Sequence, residues 1–343
     1  MTNNLMEDFM ALNRREFLKI MGGTTAALAF PGVMFQGCKK ALEQAAARTN
    51  IIWIEGLSCS GCSVSLLNKL NPDIVTVITE HISLNYQGVV MAGTGSVATR
   101  ILEDAVKKER KDFVLIVEGS IPTKNDIFCT IGEDEKTHKG IGVRHWVEEL
   151  GKNAMAVVSV GTCSAYGGIP SGKSPALGEN QTGAVSVQEI LKDKVVLNIP
   201  GCPPHPDWMV GTLLHVLMKG MPKLDEYNRP EMYYGKTVHE QCERLYSYKR
   251  GIFAKEWGDG DGCLYNLGCL GMDSGCDIPK RKWNDGASSC TECGSGCIGC
   301  TEKVFPDYGR RGIYQNLHAD KKSDQTDQAG ILSKGVKGGI ING

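Results

Sequence analysis

Ile51-Ile52-Trp53-Ile54, then Cys59-Ser60-Gly61-Cys62, then Ser63-Val64-Ser65-Leu66-Leu67 is the stretch from which the rest of the chain can be read. The apolar run reads as a buried strand and the residues after Cys62 as the start of a helix. Two thiols therefore sit in a strand-to-helix loop. Soft thiolates at that spacing suit zinc, an iron–sulfur cluster or a dithiol redox pair.

Working outward, buried-strand runs alternate with helical runs, the pattern of a parallel α/β sheet. After strand Ile51–Ile54 we expect a helix to about Leu70, ended by Asn71-Pro72. Ile74–Ile78 reads as a second strand and Gln87–Met91 as a short one. Val97–Lys108 has helical spacing. Phe113–Val117 is a strand ending at Glu118-Gly119, Val143–Leu150 a helix, and Met155–Val160 a strand ending at Gly161-Thr162-Cys163. Val195–Ile199 is a strand ending at Pro200-Gly201-Cys202, and Asp207–Met218 a helix.

Cys59 and Cys62 follow the first strand, while Cys163 and Cys202 each follow a later one. Ligands of open parallel sheets bind beyond the carboxyl ends of the strands, so these thiols can converge. Zinc ligands usually arrive as two close pairs, whereas two of these arrive singly from distant strands. That favours a [4Fe–4S] cluster on a preformed scaffold and leaves structural zinc as the alternative.

The chain has 343 residues, of which 41% are hydrophobic and 22% charged, room for about two domains. A net charge of −1 gives no electrostatic case for nucleic acid or a membrane surface. The unusual count is 14 Cys, at spacings that look like metal sites rather than a disulfide scaffold. Beyond about Gly220 the apolar runs stop, and Cys242, Cys263, Cys269, Cys276, Cys290, Cys293, Cys297 and Cys300 crowd a Gly- and Asp-rich region. A region so poor in apolar runs needs staples, which metal clusters supply. His239 and Cys242 form H-x-x-C, which with Cys263 and Cys269 makes a mixed imidazole–thiolate set. Cys276 with the second C-x-x-C, Cys297-Ile298-Gly299-Cys300, gives three ligands of a further site, and Cys290 or Cys293 could be its fourth.

Two motifs are weak matches. Gly167–Ser174 fits G-x-x-x-x-G-K-S, but it does not run from strand into helix as a phosphate loop must. Gly93–Ala98 fits G-x-G-x-x-A outside the first strand–helix unit and reads as a turn into a helix. No nucleophile–base pair or catalytic carboxylate pair stands out. Three cluster sites without a substrate motif read as an electron wire whose chemistry lies on another chain.

At the amino end, Asn13-Arg14-Arg15-Glu16-Phe17-Leu18-Lys19 is a twin-arginine motif, followed by a mildly apolar run and a cleavage candidate at Ala45-Ala46-Ala47. Cys38 weakly suggests lipidation. The polar tail past about Tyr314 has no run long enough to span a bilayer. The expected organisation is a signal peptide over 1–47, a sheet domain over 48–220, a cluster-binding domain over 221–314 and a tail over 315–343. Cys129 reads as a buried free thiol. Glu118, at a strand end near the cluster edge, is read either as a proton-transfer or interface group or as a cap or solvated surface residue.

Taken together, the chain resembles the small subunit of periplasmic [NiFe] hydrogenases. The resemblance lies in the RREFLK signal, Cys59–Ser65, Val117–Pro122, Gly161–Pro170, Ile199–Trp208, His239–Cys242, Leu264–Cys269 and Cys297–Cys300, in family order. It implies a flavodoxin-like parallel-sheet domain followed by an irregular iron–sulfur domain. It implies a proximal [4Fe–4S] cluster on Cys59, Cys62, Cys163 and Cys202, beside the Ni–Fe site of a large subunit. It further implies a distal [4Fe–4S] cluster on His239, Cys242, Cys263 and Cys269, and a medial cluster on Cys276, Cys297 and Cys300. Many relatives carry Pro near Cys290 and a [3Fe–4S] medial cluster. Cys290 resembles the extra ligand of the [NiFeSe]-type branch, which implies [4Fe–4S]. Ser60, Gly61 and Ser63 stand around the first C-x-x-C, where the oxygen-tolerant branch adds cysteines, so an oxygen-sensitive proximal cluster is expected. The implied partners are the large subunit and a periplasmic c-type cytochrome or a membrane redox subunit. The competing readings are a free-standing multi-cluster carrier and a zinc-stabilised binding protein. A related respiratory-complex subunit would share only the N-terminal half.

Overall fold

The computed structural model describes residues 49–172 and 180–306. The twin-arginine stretch, Cys38, the cleavage candidate, Lys173-Ser174 of the phosphate-loop match and the polar tail lie outside the described residues.

The first run forms β1 (Thr49–Glu55) and the residues after the thiols form α1 (Gly61–Leu67). There follow β2 (Ile82–Gln87), α2 (Gly95–Lys107), β3 (Phe113–Glu118), a hairpin of β4 (Thr130–Glu133) and β5 (Gly140–Gly142), and α3 (Val143–Asn153). Then come β6 (Ala156–Val160), α4 (Thr162–Tyr166), β7 (Val196–Ile199) and α5 (Pro206–Lys219). The main sheet is five-stranded and parallel, in the order β2-β1-β3-β6-β7. Counting only these strands, that is the flavodoxin-like order, whose topological switch lies between β1 and β3.

Alternation along each strand explains the layers. Ile52, Ile54, Leu115 and Val117 face α2 and α3, where Leu102, Ala105, Trp146, Val147 and Leu150 complete one buried face. Ile51, Trp53, Val114, Ile116, Leu197 and Ile199 face the other way, onto Trp208, Met209 and Val210 of α5. That second face also takes in Tyr233, Tyr234, Val238, Cys276 and Ile278, so the Cys-rich region is seated against the sheet.

Two strand expectations are corrected. Residues 74–78 are helical, with Ile74–Thr76 passing into a wider turn at Val77–His81. The Asp73 side chain caps the start, accepting the Thr76 N–H at 3.1 Å. The spacing of Ile74, Val77 and Ile78, packed on the core while Val75 is exposed, is helical rather than alternating. The strand expected at Gln87–Met91 ends at Gln87, whose side-chain oxygen accepts the N–H groups of Val89 and Val90 at 2.7 and 2.9 Å and turns the chain. The β4–β5 hairpin had no clear sequence signal. Among the described residues no helix is long and apolar enough to cross a membrane.

Candidate metal centres

The carboxyl ends of β1, β6 and β7 open on one edge of the sheet and carry Cys59 and Cys62, Cys163, and Cys202 respectively. Ser60 between the first two thiols adopts a left-handed φ of 60°, making a sharp turn into α1. Gly161 has φ 89°, and a Cβ there would lie 2.5 Å from Cys62 Sγ. The β6 loop therefore passes directly against the β1 thiol, and only glycine permits it. Gly168 plays the same part for Cys163, whose Sγ would lie 2.9 Å from an added Cβ.

Burial raises Cys62 well above the ordinary thiol range, with Glu118 and then Cys163, Cys59 and Cys202 adding to it. Burial pushes Cys163 up to about 11, and Cys202 and Cys59 contribute. Cys202 is raised by burial and by Cys59. The structure thus brings these thiols together, and each charge makes the next costlier. A set of this kind ionises when metal cations supply the offset.

Glu118 is a buried clamp rather than a solvated surface group. One oxygen accepts from Ser58 Oγ and Cys62 N–H, both at 3.0 Å. The other accepts from Trp53 Nε1 at 3.2 Å, Ser63 N–H at 3.1 Å and the Ser63 hydroxyl. The residue is 1% exposed. It caps the start of α1 and fixes the loop that carries Cys59 and Cys62.

In the Cys-rich region, His239 lies on a one-turn helix, Val238–Gln241, held by a Thr237–Glu240 capping box. Its ring meets Tyr248 edge-on at 4.5 Å, and burial lowers its pKa, leaving a neutral imidazole suited to a metal. A Cβ on Gly271 would lie 3.5 Å from both Cys269 Sγ and His239 N, so this glycine sits between the two. Burial raises Cys242 and Cys263, and each also feels Cys269. The buried Arg244 staples the loops around them, donating to the carbonyls of Thr291, Asp259 and Gly262 at 3.0, 3.1 and 2.8 Å.

Between these groups lie Cys276, Cys297 and Cys300. Burial raises Cys276 and Cys300 far above the thiol range and Cys297 to about 12. Cys276 feels Cys300 and Cys297, and Cys300 feels Cys297, Cys290 and Cys202. Cys297 feels Cys269 and Cys290. Cys290 is thus within electrostatic reach of the group. Both Cys290 and Cys293 are exposed, and Cys293 Sγ lies 2.6 Å from Ser288 Oγ. Cys129 is half-buried, with Sγ 3.7 Å from the Glu55 carbonyl and a pKa pushed up by burial to about 11. It stands apart from the three groups.

Among the described residues no three His, Cys, Asp or Glu side chains form a ready site for a single metal ion. The donors near one another are thiols with one imidazole, a soft set that suits iron–sulfur clusters or zinc. Sequence reasoning passed over Thr162, Gly161, Ser58 and Arg244. Of these Ser58, directly before Cys59, and Thr162, directly before Cys163, had a signal in their place beside a thiol.

Two family models match the chain. Residues 59–216 match the one described as NADH ubiquinone oxidoreductase, 20 Kd subunit, and residues 234–335 match the C-terminal model of the NiFe/NiFeSe hydrogenase small subunit. The periplasmic [NiFeSe] hydrogenase small subunit of Desulfomicrobium baculatum is 40% identical over 320 residues, covering 89% of this chain and 99% of that one. The hydrogenase-2 small chain of Escherichia coli K12 is 34% identical, covering 96% and 89%. A solved chain of the Ni-Fe-Se hydrogenase from Desulfomicrobium baculatum superposes with a TM-score of 0.72 at 39% identity, covering 78% of this chain and 98% of that one. An actinobacterial-type NiFe-hydrogenase chain from Ralstonia eutropha gives 0.71 at 31% identity, covering 87% and 95%.

Proposed function

This chain belongs to the NiFe/NiFeSe hydrogenase small-subunit family, and from that premise we propose how its own residues carry electrons. As a small subunit it is the electron-transfer partner of a chain that holds the Ni–Fe site. The N-terminal match to a respiratory-complex protein spans the sheet domain alone, while the Cys-rich region matches only the hydrogenase model.

In this reading Cys59, Cys62, Cys163 and Cys202 hold a proximal [4Fe–4S] cluster. His239, Cys242, Cys263 and Cys269 hold a distal one. Cys276, Cys290, Cys297 and Cys300 hold a medial [4Fe–4S] cluster, with Cys293 outside it. When bound, such clusters each accept and release one electron at a potential set by ligands, hydrogen bonds and exposure. The protein supplies thiolates, N–H donors and exclusion of water. Arg244 N–H lies 3.4 Å from Cys242 Sγ, Gly299 N–H 3.4 Å from Cys297 Sγ and Cys297 N–H 3.2 Å from Cys269 Sγ, each placed to stabilise negative sulfur. The observation that carries the reading is the delivery of four mutually repelling thiols to one sheet edge by three different strands. Cys59 is exposed there, which suits an edge covered by a partner chain.

The export route is proposed from the twin-arginine motif, with a periplasmic location like that in the name of the Desulfomicrobium relative. The proposed electron acceptor is a periplasmic c-type cytochrome or a membrane redox subunit. The domain limits 1–47, 48–220, 221–314 and 315–343 stand as part of the same proposal. Electron paramagnetic resonance of the oxidised heterodimer tests the cluster types. No [3Fe–4S] signal is expected, and a stoichiometric one contradicts the medial assignment.

A further inference from the structure

The second C-x-x-C is tied at both ends. At its first end the Cys297 N–H donates to Cys269 Sγ at 3.2 Å, and the Leu270 N–H donates to the Cys297 carbonyl at 2.8 Å. At its other end the Cys300 carbonyl accepts a hydrogen bond from the Thr162 hydroxyl. The same hydroxyl oxygen accepts the Gly201 N–H at 2.9 Å, and the Thr162 N–H donates to the Gly201 carbonyl at 3.0 Å. Thr162 is 1% exposed. Thr162 directly precedes Cys163, and Gly201 directly precedes Cys202. One hydroxyl therefore joins the loops of two proximal thiols to the backbone of a thiol from the next group.

We propose that Thr162 is a positioning residue, whose hydroxyl fixes the separation between the Cys163/Cys202 loops and the Cys297–Cys300 loop and thereby the rate at which electrons cross between them. The inference rests on the reading of Cys163, Cys202 and Cys300 as cluster ligands. Tunnelling falls steeply with separation, so a relay needs its gaps held as firmly as its centres. The fold of α4 does not demand this bond, since Thr162 starts a five-residue helix whose own N–H groups are not served by the hydroxyl. Both roles of the hydroxyl are in use, one as donor and one as acceptor. Valine keeps the shape and loses both bonds, whereas serine keeps both.

The test uses the purified heterodimer with Thr162→Val and Thr162→Ser. Acid-labile sulfide is counted, the magnetic splitting between the reduced proximal and medial clusters is recorded, and electron redistribution after pulse reduction is timed. The expected result is full sulfide in both variants. In Thr162→Val the splitting is reduced and redistribution is severalfold slower, while Thr162→Ser matches the parent. A Thr162→Val protein with parental splitting and rate overturns the proposal, and so does Thr162→Ser as slow as Thr162→Val. Selective loss of medial sulfide from Thr162→Val also overturns it, because the hydroxyl would then hold a cluster rather than a distance. Absence of cluster sulfide from the parent itself would instead overturn the ligand reading beneath.

Discussion

Replacing Glu118 with glutamine isolates what holds the first thiol pair. The carboxylate serves five donors, of which the N–H groups of Trp53, Cys62 and Ser63 can only donate. A glutamine has one acceptor oxygen. With its amide nitrogen in place of the oxygen facing Ser58 and Cys62, the serine hydroxyl can turn, but the Cys62 N–H is orphaned. The opposite flip orphans two N–H groups, so the first is preferred. One buried unsatisfied N–H, plus the lost charge assistance in the remaining bonds, costs about 2–4 kcal/mol. At about 1.4 kcal/mol per tenfold, local opening of the loop rises on the order of 30- to 1,000-fold. Hydrogen exchange of the peptide spanning Gly61–Ser65 in the heterodimer measures it directly. Protection should fall by that factor there while β3 and β6 stay protected. Since Glu118 also raises the Cys62 pKa, the substitution removes a negative charge beside the site and should move the proximal potential upward. Parental exchange in Gly61–Ser65 would refute the clamp.

Three further outcomes are expected. Cys290→Ala should give an oxidised-state [3Fe–4S] resonance and Cys293→Ala should not, because the charge of Cys290 is felt at Cys297 and Cys300 whereas Cys293 Sγ lies against the Ser288 hydroxyl. Stability should fall with pH from about 6.5 downward. Burial holds His205 neutral with its pKa below the ordinary 6.5, and its Nδ1 accepts the Asp207 N–H at 3.1 Å, so the unfolded chain takes up the proton first. His205→Gln should lessen the fall of the unfolding midpoint between pH 7 and 5, measured by anaerobic thermal scans. A second decline should follow below about pH 4. Burial pushes the Asp207 carboxyl up, but the Lys69 ammonium at 2.8 Å and other cations hold it below the usual range, so that stability is lost as Asp207 protonates.

The thiols were legible in the sequence because a parallel sheet leaves little freedom about where strand-end residues go. Once Ile51–Ile54, Met155–Val160 and Val195–Ile199 are read as strands, Cys59, Cys163 and Cys202 must share an edge. The helical turn at Ile74–Thr76 was not legible, because five apolar and β-branched residues satisfy both periods, and the decision fell to the Asp73 cap. Glu118 illustrates a different limit. Its position at a strand end could be read, but its burial depends on Trp53, Ser58 and Ser63 closing around it. The place of Thr162 before Cys163 could likewise be read, but not its bonds, since its partners are far away in the chain and belong to loops with no periodic pattern.

The central claim, three clusters on this chain, is tested most directly by acid-labile sulfide in the anaerobically purified heterodimer. A medial [3Fe–4S] or [4Fe–4S] cluster holds the same sulfide, so the count is independent of that assignment. The account predicts about twelve sulfides per small subunit. Bound zinc with no acid-labile sulfide would contradict it.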